Sequence, residues 1–260
     1  MKKFFVIGNP ISHSLSPELH NFWIKKNKIN AVYDKIKLEE SELEDFINKL
    51  RNHEIHGINV TVPFKNKVIK YLDKLSLEVE TTDSVNTIYK NGDDIIGHNT
   101  DVAGFELGLR HSKIDVLHKS ILILGAGGVV PSIIYSLLSM GCKKIFLSNR
   151  TIEKAENIKK KFNEIEVLKW GKIPDFDIVI NATSVGLKGD SLDLDLKTKD
   201  KIFYDIIYNP KETQFLKKAK ENGNRIENGI FMFIYQANQS FSIWNNVIPK
   251  IDEEVLKILE

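Results

Sequence analysis

The 260-residue sequence has a single cysteine, Cys142, which excludes an internal disulfide framework and any cysteine-rich zinc or iron–sulfur centre. A metal-free site in a reducing compartment is the expectation. Charge of one sign is not in excess: 37 Lys and Arg stand against 35 Asp and Glu, without the positive surplus that phosphate-backbone binding leaves on a sequence. No nucleic-acid partner is expected. Unbroken hydrophobic runs are scarce as well. The stretch between Lys119 and Lys143 carries no formal charge and is long enough to span a bilayer, but Gly125-Ala126-Gly127-Gly128 and Pro131 divide it into strand, turn and helix patterns. No membrane partner is expected. After Met1-Lys2-Lys3, the apolar run of Phe4 to Ile7 meets Gly8-Asn9-Pro10, too short for a signal peptide, so the expected location is cytoplasmic. There is no internal repeat or low-complexity tract, and Lys159-Lys160-Lys161 reads as a solvated helix face.

What is present is a globular composition, 42% hydrophobic and 28% charged, on a chain long enough for two domains. In the first hundred residues the elements are mixed. Ser16-Pro17-Glu18 reads as a helix start with serine as cap, and Ser41-Glu42-Leu43-Glu44 fits a capping box before Phe46, Ile47 and Leu50. Residues 31–36 read as a strand. Residues 57–62 alternate apolar and polar up to Pro63, a pattern that puts Asn59 and Thr61 on one strand face. Asn91-Gly92, between strand patterns at 86–90 and 94–99, is a hairpin signal. From Ser120 onward apolar strands at 121–124, 145–148, 178–181 and 202–205 alternate with helical stretches, the pattern of a parallel, doubly wound sheet. From Gly229 the pattern returns to helix, and residues 252–259 form a closing amphipathic one.

Gly125-Ala126-Gly127-Gly128-Val129-Val130 follows a strand and opens a helix, the setting in which a glycine motif cradles a pyrophosphate on main-chain amides. Val130 takes the place of the third glycine or alanine, an expected loosening of strand–helix packing, and Pro131 is tolerated in the first helical turn. At the end of the next strand, a NAD site would carry an acid for the ribose hydroxyl. Here the chain reads Ser148-Asn149-Arg150-Thr151, with Lys154 nearby. A guanidinium can fork onto a 2′-phosphate that a carboxylate would repel, so NADP is the expected cofactor.

The first half holds polar groups without an evident structural duty. Ser14 lies in a hydroxyl-rich loop suited to carboxylate or polyol recognition, while Ser16 has a capping role to fill. Lys65, just past Pro63-Phe64, is read as the start of a helix, an uncomfortable place for an ammonium. Asp101, in Asn99-Thr100-Asp101, reads equally well as a first-turn acid. Brought into one cleft, the two would form a pair able to exchange a proton with a substrate.

In order along the chain, Gly8-Asn9-Pro10 through His20-Asn21, Asn59-Val60-Thr61-Val62-Pro63-Phe64-Lys65, Val85-Asn86-Thr87, Gly97 to Asp101, the glycine turn, Asn149-Arg150-Thr151, Asn181 to Gly186, Asp205 to Pro210, and Gly229 to Ala237 together resemble the shikimate dehydrogenase family. The resemblance spans essentially the whole chain. It implies an α/β fold of two domains: an α/β substrate domain with a mixed sheet, residues 1–102 plus 232–260, and a Rossmann-like, doubly wound parallel-sheet NADP domain, residues 103–231. It implies NADPH-dependent reduction of 3-dehydroshikimate to shikimate with Lys65 and Asp101 as the catalytic pair. Ser14, Ser16, Asn59, Thr61, Asn86, Tyr208 and Gln236 would bind the substrate along with Asp101. Gly125, Ala126, Gly127, Gly128, Val129, Asn149, Arg150, Thr151, Lys154, Thr183, Ile206, Gly229 and Met232 would line the cofactor. The chain departs from the family pattern at Val130-Pro131, at Asp83-Ser84 in place of small Gly-Ala, and at Leu187 in place of methionine. Asp83 is expected to bring charge near the substrate wall. The rivals are a quinate/shikimate dehydrogenase of the same family and, in a different class, a non-catalytic NADP-binding sensor. A monomer or homodimer is expected.

Overall fold

A computed structural model describes residues 1–259. The chain divides into two compact units, Met1–Gly104 together with the chain from Ile234 on, and Phe105–Phe233.

The first unit is built on six strands, β1 (Lys2–Gly8), β2 (Ala31–Lys37), β3 (Gly57–Val60), β4 (Lys74–Leu75), β5 (Thr87–Asn91) and β6 (Asp94–His98), in the order β2-β1-β3-β5-β6-β4. β1 is parallel to β2 and β3, and β5 runs antiparallel to β3 and β6, so the sheet is mixed. One consequence governs the site: the carboxyl ends of β1, β2, β3 and β6 and the amino end of β5 share one edge of the sheet. The hairpin turn falls one residue later than expected, because Asn91 pairs with Asp94 and leaves Gly92-Asp93 as the loop, with Gly92 at φ +60°. Helices α1 (Ser16–Lys26), α2 (Leu43–Arg51) and α3 (Leu77–Thr82) accompany the sheet. Ile7, Phe46, Ile47, Ile58, Val60, Phe64, Val85 and Ile88 form the buried core. The capping box before α2 is made by Glu39 and Glu42, not by Ser41 and Glu44: a 3₁₀ turn at Glu40–Glu42 precedes the helix and moves its start back. α4 (Thr100–His111) carries the chain out of this unit.

The second unit has six parallel strands, β7 (Ser120–Leu124), β8 (Lys144–Ser148), β9 (Ile165–Leu168), β10 (Ile178–Asn181), β11 (Ile202–Asp205) and β12 (Arg225–Glu227), in the order β12-β11-β10-β7-β8-β9. The sheet winds outward in both directions from the β7–β10 pair, the switch point at which doubly wound sheets bind ligands. Helices α5 (Val130–Ser139), α6 (Ile152–Lys159) and α7 (Gln214–Glu221) connect strands. Ile121 and Ile123 pack into one buried cluster, Leu122 and Leu124 into the other. Both faces are therefore covered, and β7 reads as an uninterrupted apolar run. β9 and β12 have no such run: β12 is three residues long on the sheet edge, and Glu166, Arg225 and Glu227 interrupt the pattern. The chain returns to the first unit within α8 (Ile230–Asn245) and closes with α9 (Glu253–Ile258), which Asp252 caps by accepting from Val255 N. Among the described residues no helix is long and apolar enough to cross a membrane.

Candidate active site

β3 ends at Val60, and Thr61 has already left the strand, its amide donating to Ile7 O at 2.9 Å. No helix begins at Lys65. The chain closes in tight turns instead, Phe64 N to Thr61 O and Lys67 N to Phe64 O at 2.9 Å each, because Phe64 and Val68 are drawn into the core. Only a 3₁₀ turn at Ile69–Tyr71 follows. Lys65 is fixed by its own carbonyl, which accepts from Val85 N at 2.8 Å. Its ammonium forms an ion pair with Asp101 Oδ2 in which the side chains are only 11% and 8% exposed. Asp101 sits in the first turn of α4 and its amide donates to Asn99 Oδ1 at 3.1 Å. The first-turn position expected of this acid is therefore borne out, and the same carboxylate is the one that meets Lys65.

The second oxygen of Asp101 accepts from Asn86 Nδ2 at 3.0 Å. That amide also faces Thr100 Oγ1 at 2.8 Å and Gln236 Oε1 at 3.4 Å, while Asn86 Oδ1 accepts from Thr100 N at 2.7 Å. Gln236 can come this close because Gly104 lies against its backbone: a Cβ on Gly104 would stand 2.7 Å from the Cβ of Gln236. Asn59 is buried behind Asn86. Its two amide hydrogens go to Asn86 O (3.0 Å) and Thr87 Oγ1 (3.1 Å), and its oxygen accepts from Tyr33 Oη at 2.7 Å. Tyr33 in turn stacks on His20, ring centroids 4.1 Å apart. His20 is buried with no partner for Nε2, and burial pushes its imidazole down to about 3.

At the same sheet edge, Ser16 does not fill the capping role expected of it. Ser16 is the first residue of α1 and Leu15 stands at the cap, whereas the Ser14 hydroxyl accepts from Ser16 N (3.3 Å) and donates to Ser16 Oγ (3.1 Å). A hydroxyl two residues upstream closes a serine turn that the helix-start pattern did not anticipate. The first unit thus brings together Lys65, Asp101, Asn86, Gln236 and Asn59 by direct bonds, and carries Thr61, Ser14 and Ser16 on the same edge. Tyr208 belongs to the second unit, its ring stacked on Phe233 at 4.4 Å.

In the second unit the turn after β7 is shaped by two glycines. Gly125 has φ +108°, its amide donates to Ser148 O at 2.8 Å, and a Cβ there would stand 2.7 Å from Ala182 O. Gly127 is the opposite case: it is exposed, and a Cβ there would meet nothing within 4 Å. Gly128 is exposed, Ala126 and Val129 are half-buried, and Val129 caps α5 with no side-chain bond to the helix amides. An open cradle on an uncapped helix start fits a pyrophosphate. Beyond β8, Asn149 bonds Thr151 O through its amide at 2.7 Å; Arg150, Thr151 and Lys154 are exposed, and the Thr151 hydroxyl makes no cap bond to α6. These residues fit an additional phosphate.

Thr183 donates to Asn181 Oδ1 at 2.7 Å, and Ile206 N to Asn181 O at 3.0 Å. Gly229 N donates to Ile207 O at 3.1 Å, and Met232 is buried in the core. The residues that order this edge were quoted from sequence only within matching segments and not as site residues: Asn181 donates to Asp205 Oδ1 at 3.1 Å, and Asp205 also accepts from Thr213 Oγ1 (2.7 Å) and Ile207 N (3.0 Å). Burial pushes the Asp205 carboxyl up to about 6 despite these donors. Their signal was that each is the polar last residue of an apolar parallel strand. Among the described residues no group of three His, Cys, Asp or Glu could hold a metal ion.

A family model described as "Shikimate dehydrogenase substrate binding domain" matches residues 6–88, and one described as "Shikimate / quinate 5-dehydrogenase" matches residues 108–188. The shikimate dehydrogenase (NADP(+)) of Pelagibacter ubique is 55% identical over 262 residues, taking in 100% of this chain and 99% of that protein. The chain belongs to the shikimate dehydrogenase family. The structure is similar to that of shikimate 5-dehydrogenase from Listeria monocytogenes in complex with shikimate and NAD, at TM-score 0.92 and 30% identity, covering 100% of this chain and 96% of that one. It is also similar to the Thermus thermophilus shikimate 5-dehydrogenase in complex with NADP(H) and shikimate, at TM-score 0.89 and 28% identity, covering 96% and 95%.

The departures from the family pattern now have a structural setting. Asp83 is exposed at the end of α3 with φ +49°, a left-handed position that a glycine would fill and that Asp tolerates, while Ser84 is buried. Val130 is fully buried in the core of the second unit, so it fills the strand–helix contact that it was expected to loosen. Leu187 is exposed.

Proposed function

We propose that this chain is a cytoplasmic enzyme catalysing the reversible, NADPH-dependent reduction of 3-dehydroshikimate to shikimate, a step toward chorismate and the aromatic amino acids. It works as a monomer or homodimer, without nucleic acid or membrane. The observation that carries this reading is the Lys65–Asp101 ion pair with Asn86 bonded to its carboxylate. The cofactor supplies the hydride that adds to the ketone carbon of the substrate. Lys65 and Asp101 are the catalytic residues: as a unit they give a proton to the ketone oxygen and, in the reverse direction, take it from the hydroxyl as the carbon loses hydride. Nearly closed off from water, the pair keeps its geometry without solvent competing for the ammonium.

Ser14, Ser16, Thr61, Asn86, Tyr208 and Gln236 hold the carboxylate and hydroxyls of the substrate. Asn59 joins them, held in place by its amide hydrogens on Asn86 and Thr87. The unit of Met1–Gly104 with the chain from Ile234 on, two residues from the expected bounds of 1–102 and 232–260, is the substrate domain, and Phe105–Phe233, expected as 103–231, the cofactor domain. The turn of Gly125, Ala126, Gly127, Gly128 and Val129 holds the pyrophosphate, Asn149, Arg150, Thr151 and Lys154 the 2′-phosphate, and Thr183, Ile206, Gly229 and Met232 flank the rest of the cofactor. The test is steady-state oxidation of shikimate and quinate with NADP+ and NAD+, followed by reduced-cofactor absorbance. Turnover of shikimate with NADP+ is expected. Equal use of quinate would favour the quinate/shikimate dehydrogenase reading, to which the second family description gives weight. Cofactor binding with no turnover of either acid would favour the sensor.

A further inference from the structure

We infer that Lys35 is the positioning residue for the anionic end of the substrate, acting through the serine loop. The inference rests on the functional reading above and adds to it a residue that the sequence did not single out. Lys35 lies near the carboxyl end of β2, in register with Val6 of β1. Its ammonium crosses to the loop that follows β1 and donates to the main-chain oxygens of Ser12 at 2.7 Å and Ser14 at 3.3 Å. Both partners are neutral. Lys26, Lys37, Lys67 and Lys74 each have a carboxylate within ion-pair distance; among the described residues Lys35 has none.

The ammonium of the half-buried Lys35 therefore does two things at once. It ties the carbonyls of residues 12 and 14 to the sheet, fixing the turn in which Ser14 donates to Ser16 Oγ and leaves the Ser16 hydroxyl hydrogen without a protein acceptor among the described residues. It also sets a positive charge, without an ion-pair partner among the described residues, on the loop that carries that hydroxyl pair. A hydroxyl of the substrate would have no use for such a charge, whereas a carboxylate gains from both the charge and the hydroxyl donor. Shikimate has one anionic group, so the geometry orients it: carboxylate toward the serine loop, reacting hydroxyl toward Lys65 and Asp101.

Lys35→Met keeps the aliphatic stem and removes the charge and donors; Lys35→Arg retains both. In the full chain, Lys35→Met should raise the shikimate KM and the calorimetric Kd by about 5- to 20-fold, with kcat within about 2-fold and the KM for NADP+ unchanged, as expected for loss of uniform binding. Lys35→Arg should recover most of the loss. The deciding arm uses shikimate methyl ester, which lacks the charge: wild type and Lys35→Met should handle it alike. An unchanged shikimate KM, a loss confined to kcat, or an equal penalty on acid and ester would overturn the inference. A wild-type chain that binds shikimate but never oxidises it would sink the functional reading instead, and the calorimetric comparison would still decide the role of Lys35.

Discussion

In the first unit the polar groups at the sheet edge are side chains bonded to one another, Lys65 to Asp101, Asp101 to Asn86, Asn86 to Gln236 and Thr100, with Asn59 and Tyr33 behind. In the second unit the turn after β7 offers main-chain amides around an open glycine, and Arg150 and Lys154 stand exposed, with no ion-pair partner among the described residues. The first arrangement is assembled when the chain folds, and removing one member strands another in a buried place. The second, on the proposed reading, would be completed by an anion and would be indifferent to side-chain identity except where a Cβ or a charge meets that anion. The proposed function matches this contrast: proton transfer would fall to the first kind of site, whose geometry is held before substrate binds, and phosphate recognition to the second.

The sharpest way to break this contrast is Lys65→Ala, which should lower turnover by about 10² to 10⁴-fold while NADPH binding, followed by fluorescence titration, stays nearly intact. A matching fall in cofactor affinity would show that the two regions are not separate. Next in size is Arg150→Ser: NADPH affinity should drop by about 10- to 100-fold and NADH affinity should hold, since only the former carries the extra phosphate. Equal losses for both cofactors would make Arg150 a structural residue.

Acid should distinguish the units through their buried ionisable groups. His20 is held near 3 against an ordinary 6.5, so below about pH 6.5 the unfolded chain takes up a proton that the folded chain refuses. Stability is then lost as pH falls, by about 2 kcal/mol at pH 5 from this group. Asp205 works in the other direction: with its carboxyl raised from 3.8 to about 6, the folded chain keeps a proton that the unfolded chain releases, so its contribution weakens as pH rises from about 4 to 6. His20→Phe, which preserves the stack on Tyr33, should flatten the acid side of the stability curve measured by urea unfolding; an unchanged curve would mean that the imidazole is not buried neutral. The smallest effect is expected for Gly127→Ala. Its Cβ has room in the free chain, so the melting temperature should barely move, while NADPH affinity falls by about 10-fold because main-chain amides can no longer close on the phosphate.

The parallel sheet of the second unit was legible because strands buried on both faces leave apolar runs, and its glycine turn because main-chain recognition constrains residue type locally. Without the family resemblance, Lys65 and Asp101 were legible only as candidates, since what brings them together is the Val85 amide donating to the Lys65 carbonyl and the Asn86 side-chain amide donating to Asp101, contacts between segments distant in sequence. For the same reason the supporting roles of Tyr33, Asn99, Thr100 and Lys35 left no local trace. The helix read at Lys65 failed where the pull of Phe64 and Val68 into the core outweighed a plausible start pattern, and β4 and β12 are too short for a period to register.

The bond from the Gly125 amide to the Ser148 carbonyl clamps the loop that would take the pyrophosphate to the strand end that would meet the ribose. On the proposed reading, cofactor choice would rest with a detachable tip, residues 149–154, mounted on a base that need not be rebuilt. A designer wishing to retune this scaffold toward the non-phosphorylated nucleotide could exchange that tip alone and leave the hinge of the loop untouched.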